Sequence, residues 1–264
     1  MIVFDIETGS LPWGLLKDAI PAFDEIAAVP DPKPFDLGSV ALGNLKDQAK
    51  IQQKIADARA KWELEAELLP QRRAEARNQH VAKCVEKAAL SACTGMVKAI
   101  GIWLDNALPM LWFVDGKEAI DDASEGSRLA FDNERSMIED FWGTVEENAG
   151  ESFVGHNILG FDLPFLIRRS WILGVDVPSG VRNGRYLSSQ FVDLMDMWGC
   201  GTREFISLDA IDRALGGAGK PADCTGADFA RLFDEGGESR EKALAYLRND
   251  LEMTRRVDET MQIL

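Results

Sequence analysis

Two carboxylates lie close together near the start of the chain, in the segment Ile2-Val3-Phe4-Asp5-Ile6-Glu7-Thr8-Gly9. The apolar and β-branched residues before Asp5 predict a buried strand. Because residues i and i+2 of a strand point to the same face, Asp5 and Glu7 would project side by side. Two carboxylates buried in this way repel each other, and a bound divalent cation would remove that conflict. The alternative is a strand that runs into a solvated acidic turn.

A second polar group follows the short apolar run that ends at Gly155. It contains His156 and Asn157 and, a few residues later, Phe161 and Asp162. A proline two residues after Asp162 suits the first turn of a helix, so helix capping is the alternative role of this carboxylate. Asn157 can exchange hydrogen bonds with a sugar or phosphate, and Phe161 offers a ring on which a base could stack. For His156, a packed side chain is the more common role of an isolated histidine.

A third candidate pair lies near the end of the chain, where residues 240–261 have the apolar spacing of a helix. Tyr246 and Asp250 are four residues apart and therefore share one helical face. The alternative is a surface tyrosine and aspartate that flank the apolar side of the helix.

The elements that must position these residues alternate between strand and helix. Besides the strand at the amino terminus, apolar runs predict strands over 95–104, 109–114, 151–155 and 191–194, with helices over 133–148 and 240–261. This order predicts an α/β fold with a mixed, five-stranded sheet flanked by helices. Between the first two strands, residues 44–90 have helical spacing that is broken at Pro70, which predicts an antiparallel helical hairpin.

The predicted hairpin differs in charge from the rest of the chain. Residues 44–90 hold ten Lys/Arg and seven Asp/Glu, whereas the whole chain has a net charge of −15. Three of its basic residues follow the proline, namely Arg72, Arg73 and Arg77. They are candidate phosphate contacts. The alternative is that the hairpin packs on another protein, or on itself, through Ile51, Ile55 and Trp62.

Composition limits the class of protein. The acidic balance of 44 Asp/Glu against 29 Lys/Arg disfavours nucleic-acid binding by bulk charge, so any polyanion must be held by local basic groups or metal ions. No apolar run is long enough to span a membrane, and the amino terminus lacks the pattern of a signal peptide. The four cysteines show no paired spacing. We therefore expect reduced thiols, no zinc site and a cytoplasmic protein.

Together these segments resemble the DEDD superfamily of 3′–5′ exonucleases, which have the ribonuclease H-like fold. The three motifs of that superfamily appear as Asp5-Ile6-Glu7-Thr8, as His156-Asn157 with Phe161-Asp162, and as Tyr246-x-x-x-Asp250. The tyrosine four residues before the last aspartate, preceded by Ala245, resembles the tyrosine (DEDDy) branch. Together with Ser207-Leu208-Asp209, the third motif is similar to the exonuclease domains of family-B DNA polymerases and their stand-alone relatives. The resemblance covers about residues 1–12, 96–114, 152–217 and 240–258.

The resemblance implies one exonuclease domain over 1–264, with residues 31–95 as an inserted loop and helical hairpin. It also implies two divalent cations, Mg²⁺ or Mn²⁺, and the hydrolysis of phosphodiester bonds at 3′ ends. Asp5, Glu7 and Asp250 would hold the first ion. Asp5 would also bridge to the second ion, which Asp162 would support. Tyr246 would orient the attacking water.

On the substrate side, the resemblance places Thr8, Gly9, Ser10 and Leu11 beside the terminal nucleotide, and His156, Asn157 and Phe161 along the single strand. Single-stranded DNA is favoured over RNA because no RNA-binding appendage is visible. A polymerase or another replication or repair protein is the expected kind of partner. An exoribonuclease and a catalytically silent nucleic-acid or protein-binding module remain the alternatives.

Overall fold

The computed structural model describes residues 1–105, 107–115, 127–183, 186–202, 204–220 and 224–262. Its strands are β1 (Ile2–Ser10), β2 (Gly95–Leu104), β3 (Met110–Val114), β4 (Arg128–Phe131), β5 (Phe153–Gly155), β6 (Arg182–Asn183), β7 (Tyr186–Leu187) and β8 (Phe191–Asp193). Its helices are α1 (Trp13–Leu16), α2 (Glu25–Ala28), α3 (Gln48–Glu67), α4 (Leu69–Ala88), α5 (Glu134–Glu147), α6 (Asp162–Leu173), α7 (Leu194–Gly199), α8 (Leu208–Ala214), α9 (Gly226–Glu235) and α10 (Gly237–Gln262). None of the described helices is both long enough and apolar enough to cross a membrane.

The main sheet is mixed, with the strand order β4-β3-β2-β1-β5-β8. β1 lies near the centre, antiparallel to β2 and parallel to β5, and β5 is parallel to β8. The predicted α/β class, with helices flanking a mixed sheet, is confirmed and is consistent with a ribonuclease H-like exonuclease fold. The sheet has six strands where five were predicted, because the short segment β4 adds to the edge in parallel with β3.

Alternation along β1 divides the core into two layers. Phe4 and Ile6 pack with α5 and α6 on one face of the sheet. Val3, on the opposite face, packs with apolar residues of α9 and α10. Since Asp5 and Glu7 share the face of Val3, they point towards α9 and α10.

The chain divides into two compact units. The first comprises residues 1–16 and 86–264 and contains the main sheet. The second comprises residues 17–85 and contains all of α3 and most of α4. The predicted insertion, 31–95, overlaps this second unit but begins and ends further along the chain.

The predicted antiparallel hairpin is wrong. α3 and α4 are separated by the single residue Leu68, whose backbone stays in the right-handed helical region. The Leu68 amide donates to the Leu64 carbonyl and the Arg72 amide donates to the Leu68 carbonyl, so the i to i−4 pattern runs through the junction. Pro70 lies in the first turn of α4, where a missing amide hydrogen is tolerated, and therefore does not reverse the chain.

Within the second unit, the segment that precedes α3 lies along the two helices. The Trp62 indole donates to the Lys33 carbonyl at 2.7 Å, and Arg73 donates to the Val29 carbonyl and to Asp31, each at 3.1 Å. Arg77 forms an ion pair with Glu25. Residues 17–85 hold equal numbers of acidic and basic side chains.

These contacts change the interpretation of the arginine cluster. Two of its three members, Arg73 and Arg77, pair with acidic residues of the neighbouring segment. The excess positive charge of residues 44–90 is likewise balanced within the unit. Two of the three predicted phosphate contacts are therefore already engaged in ion pairs.

Candidate active site

Three carboxylates converge on one side of the sheet, two from β1 and one from α10. One oxygen from each of Asp5, Glu7 and Asp250 lies within 4.8 Å of the other two. Glu7 and Asp250 are buried and Asp5 is half-buried. The register of β1 against β2 shifts between Glu7 and Thr8, so regular strand pairing is interrupted directly after the second carboxylate.

Asp162 joins this group from the opposite side of β1. It is the first residue of α6, is 4% exposed, and accepts a hydrogen bond from the Ile6 amide at 3.1 Å through Oδ1. β5 pairs with β1 only at Ile2 and Val3, so this contact satisfies an amide beyond the end of the neighbouring strand. The N-cap position of α6 is Phe161, and Asp162 therefore does not have the capping role that was its alternative.

A lysine that the sequence analysis missed lies at the centre of the site. The Lys220 ammonium donates to the Tyr246 hydroxyl at 2.5 Å and to Asp250 Oδ2 at 2.6 Å. Its nitrogen is also 4.4 Å from the centroid of the Tyr246 ring. Lys220 is thirty residues from Asp250 in sequence, with no regular spacing to it. The only signal in the sequence was that Lys220 is a basic residue in an acidic part of the chain.

The backbone around Lys220 is held by residues of α8. The Lys220 amide donates to Asp209 Oδ1 at 2.5 Å, and the Gly219 amide donates to Asp212 Oδ2 at 2.9 Å. Asp212 is 1% exposed and also accepts from Arg256 of α10 at 2.7 Å. The loop that carries the lysine is therefore fixed to two helices.

Burial dominates the electrostatics of the site. It raises the pKa of Asp5 well above its usual value, and the charges of Asp162, Asp250 and Glu7 raise it further. The pKa of Glu7 is raised by burial and then by Asp250, and burial raises the pKa of Asp162 to about 7. For Asp250, burial also raises the pKa, against the lowering effect of Lys220. The metal-free site therefore disfavours full ionisation of its carboxyl groups.

Tyr246 stays protonated over the physiological range. Burial raises its pKa above the usual value of a phenol, and the charges of Asp250, Glu7 and Asp5 act in the same direction. The hydroxyl can thus donate a hydrogen bond to a neighbouring oxygen while it accepts from Lys220.

The loop between β5 and α6 is held by Asp193 at the end of β8. Asp193 Oδ1 accepts from the Asn157 amide at 2.8 Å, and Oδ2 accepts from the Leu159 amide at 2.9 Å. Asn157 has a φ of 60°, a left-handed conformation that asparagine tolerates. Just before the loop, a Cβ on Gly155 would lie 2.8 Å from the Phe4 carbonyl oxygen, so only glycine allows this close approach to β1. Asp193 is a second positioning residue that the sequence analysis did not identify.

A cleft of about 270 Å³ opens over the four carboxylates. It is lined by Asp5, Ile6, Glu7, His156, Asn157, Phe161, Asp162, Leu208, Lys220 and Asp250. His156 Nε2 is buried and has no hydrogen-bond partner among the described residues, and burial lowers the pKa of its imidazole. The three residues predicted to contact the strand, His156, Asn157 and Phe161, thus all face the cleft.

The other predicted substrate residues are not brought to this cleft. Thr8, Gly9, Ser10 and Leu11 follow β1 away from Glu7 and are absent from the lining of the cleft. A Cβ on Gly9 would lie 2.7 Å from Lys98 Cε and 3.0 Å from Ala230 Cβ. The small size of Gly9 therefore serves the packing of β1 against its neighbours, and its contact with a nucleotide stays a prediction.

Comparison with protein families adds independent information. Residues 126–254 match the model of a family described as a predicted 3′–5′ exonuclease related to the exonuclease domain of PolB. The match supports the 3′–5′ exonuclease superfamily. It spans just under half of the chain and includes Asp162, Lys220, Tyr246 and Asp250. No match was found among curated protein sequences.

The residues of this exonuclease-like site fit a divalent cation. Asp5, Glu7 and Asp250 offer hard oxygen ligands within 4.8 Å of one another, the type that Mg²⁺ and Mn²⁺ prefer. Asp250 Oδ1 is buried and has no hydrogen-bond partner in the described part of the chain, so one ligand atom is left unsatisfied by protein groups. A cation there would also offset the mutual repulsion that raises the carboxyl pKa values.

Proposed function

We propose that the chain is a metal-dependent 3′–5′ exonuclease of the tyrosine branch that removes nucleotides from single-stranded DNA. The observation that carries the proposal is the meeting of Asp5, Glu7 and Asp250 within 4.8 Å, next to Tyr246. Such a buried group of like charges is unfavourable in a module that only binds, because each carboxylate must be desolvated against the others. It is useful where phosphate charge must be neutralised by cations.

The residues take separate roles in this proposal. Asp5, Glu7 and Asp250 would hold one cation, and Asp5 and Asp162 would hold a second. Bound Mg²⁺ or Mn²⁺ would supply Lewis-acid stabilisation of the phosphate and a more acidic water. The Tyr246 hydroxyl stays protonated and orients the water by a hydrogen bond.

Lys220 adds two effects of its own. Its ammonium fixes the Tyr246 hydroxyl and one oxygen of Asp250, which limits the positions that both groups can take. It would also supply one positive charge to offset the negative charge that develops on a phosphate in the cleft. The reaction forms a bond from the water oxygen to phosphorus and breaks the bond to O3′ of the preceding nucleotide. O3′ takes up a proton, and the product is a nucleoside 5′-monophosphate.

End-labelled substrates test the proposal directly. Single-stranded DNA labelled at its 5′ end should shorten stepwise in Mg²⁺ or Mn²⁺ and stay intact in EDTA. Duplex DNA and RNA of the same sequence, assayed in parallel, measure the preference for substrate. The Asp250→Asn variant is the matched control and should be inactive on every substrate. Cleavage of a circular single strand, or activity that survives in the variant, would contradict an exonuclease at this site.

A further inference from the structure

The outer face of α6 combines apolar and basic side chains. Arg168 and Ile172 are four residues apart and Trp171 is three residues after Arg168, so the three side chains share one side of α6. Trp171 is 59% exposed and Ile172 is 53% exposed. Single exposed apolar side chains are common on protein surfaces, whereas adjacent ones next to a cleft mark a candidate binding surface.

This face is continuous with the candidate active site. Phe161 lines the cleft, and Asp162, the first residue of α6, is one of its four carboxylates. Trp171 lies nine residues after Asp162, about 14 Å at the rise of an α-helix. At the 3.4 Å spacing of a stacked strand, that distance corresponds to about four nucleotides.

The charge of the face is positive in an otherwise acidic chain. Arg168 is exposed and has no ion-pair or hydrogen-bond partner among the described residues. Its neighbour Arg169 points inward, where it is 3% exposed and donates to both oxygens of Glu134 and to the Ala92 carbonyl. The two arginines thus differ in role, and of the two it is Arg168 that presents its charge to solvent.

We infer that the outer face of α6 binds the single strand upstream of its 3′ end. Trp171 stacks on a base and Arg168 contacts a phosphate between that base and the cleft. The inference rests on the proposed function, because it assigns the face to the same strand whose end enters the cleft. A nucleic acid fits better than a protein partner because a cation, Arg168, lies between the cleft and the indole of Trp171, the combination that tracks a strand without reading its sequence.

Binding to oligonucleotides of two lengths tests the inference. Fluorescein-labelled oligothymidylates of about 3 and about 12 nucleotides would carry a hydrolysis-resistant phosphorothioate at the terminal linkage. Fluorescence anisotropy in Ca²⁺ then gives the dissociation constant for each. Loss of one stacked base contact weakens binding by 1–3 kcal/mol, so Trp171→Ala should weaken binding of the 12-mer about tenfold. Binding of the 3-mer should change less than twofold.

The role of the Arg168 charge is tested separately. Arg168→Ala should lower the salt dependence of 12-mer binding by about 0.7 in the slope of log K against log salt, and Arg168→Lys should restore it. Leu108→Ala is the control for an exposed apolar side chain, since Leu108 is 55% exposed, lies in the turn between β2 and β3 and is absent from the lining of the cleft. It should leave both oligomers unaffected.

The results that overturn the inference are distinct from those that overturn the function. Unaltered 12-mer binding in both Trp171→Ala and Arg168→Ala, with normal degradation by the unmodified protein, rejects the strand-binding face alone. An equal loss of 3-mer and 12-mer binding also rejects it, since the effect would then come from the cleft. If the unmodified protein neither binds nor degrades any strand, the proposed function fails and the inference fails with it.

Discussion

Replacing Asp5 by Asn should stabilise the metal-free protein while it abolishes cleavage. Asp5 lies among Glu7, Asp162 and Asp250, and each of these charges raises its pKa. Its carboxylate has no hydrogen-bond partner in the described part of the chain. The substitution keeps the shape of the side chain and removes one charge, so it relieves repulsion without breaking a contact.

The expected size of this stabilisation follows from the distance between the carboxylate oxygens. Two unit charges 4.8 Å apart repel each other by about 3.5 kcal/mol at an effective dielectric constant of about 20. Asp5 has two such neighbours in Glu7 and Asp250, and attraction to Lys220 offsets about one of them. Partial protonation reduces the remainder, so we expect a gain of about 1–3 kcal/mol in the free energy of unfolding. For a chain of this size the melting temperature should rise by about 2–5 °C.

The pH dependence of the stability tests whether repulsion between the carboxylates is the cause. The carboxyl pKa values are raised in the folded state, to about 7 for Asp162, so the folded protein binds more protons than the unfolded chain between about pH 4 and pH 7. The stability of the metal-free protein should therefore fall as pH rises through this window. The advantage of Asp5→Asn should be largest above pH 7 and vanish near pH 4.

Thermal melts in EDTA at several pH values measure the effect. Adding Mn²⁺ should raise the melting temperature of the unmodified protein, because a ligand of the folded state stabilises it, and should raise that of Asp5→Asn much less. A variant that melts below the unmodified protein in EDTA at pH 7.5 would show that Asp5 is held by favourable contacts. Cleavage near the normal rate would remove Asp5 from the catalytic site.

Three further substitutions separate catalysis from stability. Tyr246→Phe keeps the ring and removes the hydroxyl, so kcat should fall about 10- to 100-fold with KM changed less than about threefold, and an unchanged kcat would make Tyr246 structural. Lys220→Met should lower kcat. It should also lower the melting temperature in EDTA, whereas Asp5→Asn raises it, because the carboxylates lose their positive counter-charge. A higher melting temperature would contradict this role of Lys220. Arg169→Met leaves Glu134 buried without its counter-ion, although the Val97 amide still donates to it, and should cost about 3–5 kcal/mol in chemical denaturation, whereas adding Glu134→Leu should recover part of that loss.

The parts of the fold that depend on local pattern could be predicted from sequence. Alternation along β1 places Asp5 and Glu7 on one face, and helical spacing places Tyr246 and Asp250 together on α10. Each of these two predictions depends on the periodicity of side chains along one strand or one helix. The convergence of these two elements could not be obtained from periodicity, and the resemblance to a known superfamily supplied it.

The parts that depend on contacts between distant segments could not be predicted in this way. Lys220 reaches Tyr246 and Asp250 only because Asp209 and Asp212 of α8 hold the backbone of its loop. The error at Pro70 has a different cause. A proline in the first turn of a helix and a proline at a chain reversal follow the same apolar pattern, and the backbone of the preceding residues decides between them.

The charges of the molecule suggest how an acidic chain would accept the proposed polyanionic substrate. The net charge of −15 repels phosphate at long range, but salt screens that repulsion beyond a Debye length of about 8–10 Å. At short range, Lys220 and the cations that the carboxylates would hold reverse the sign of the field in the cleft. Arg168 adds one positive charge on the adjoining face of α6. If Lys220 and Arg168 are the main cations of the described residues that meet the proposed strand, binding should depend only weakly on monovalent salt and strongly on the divalent metal.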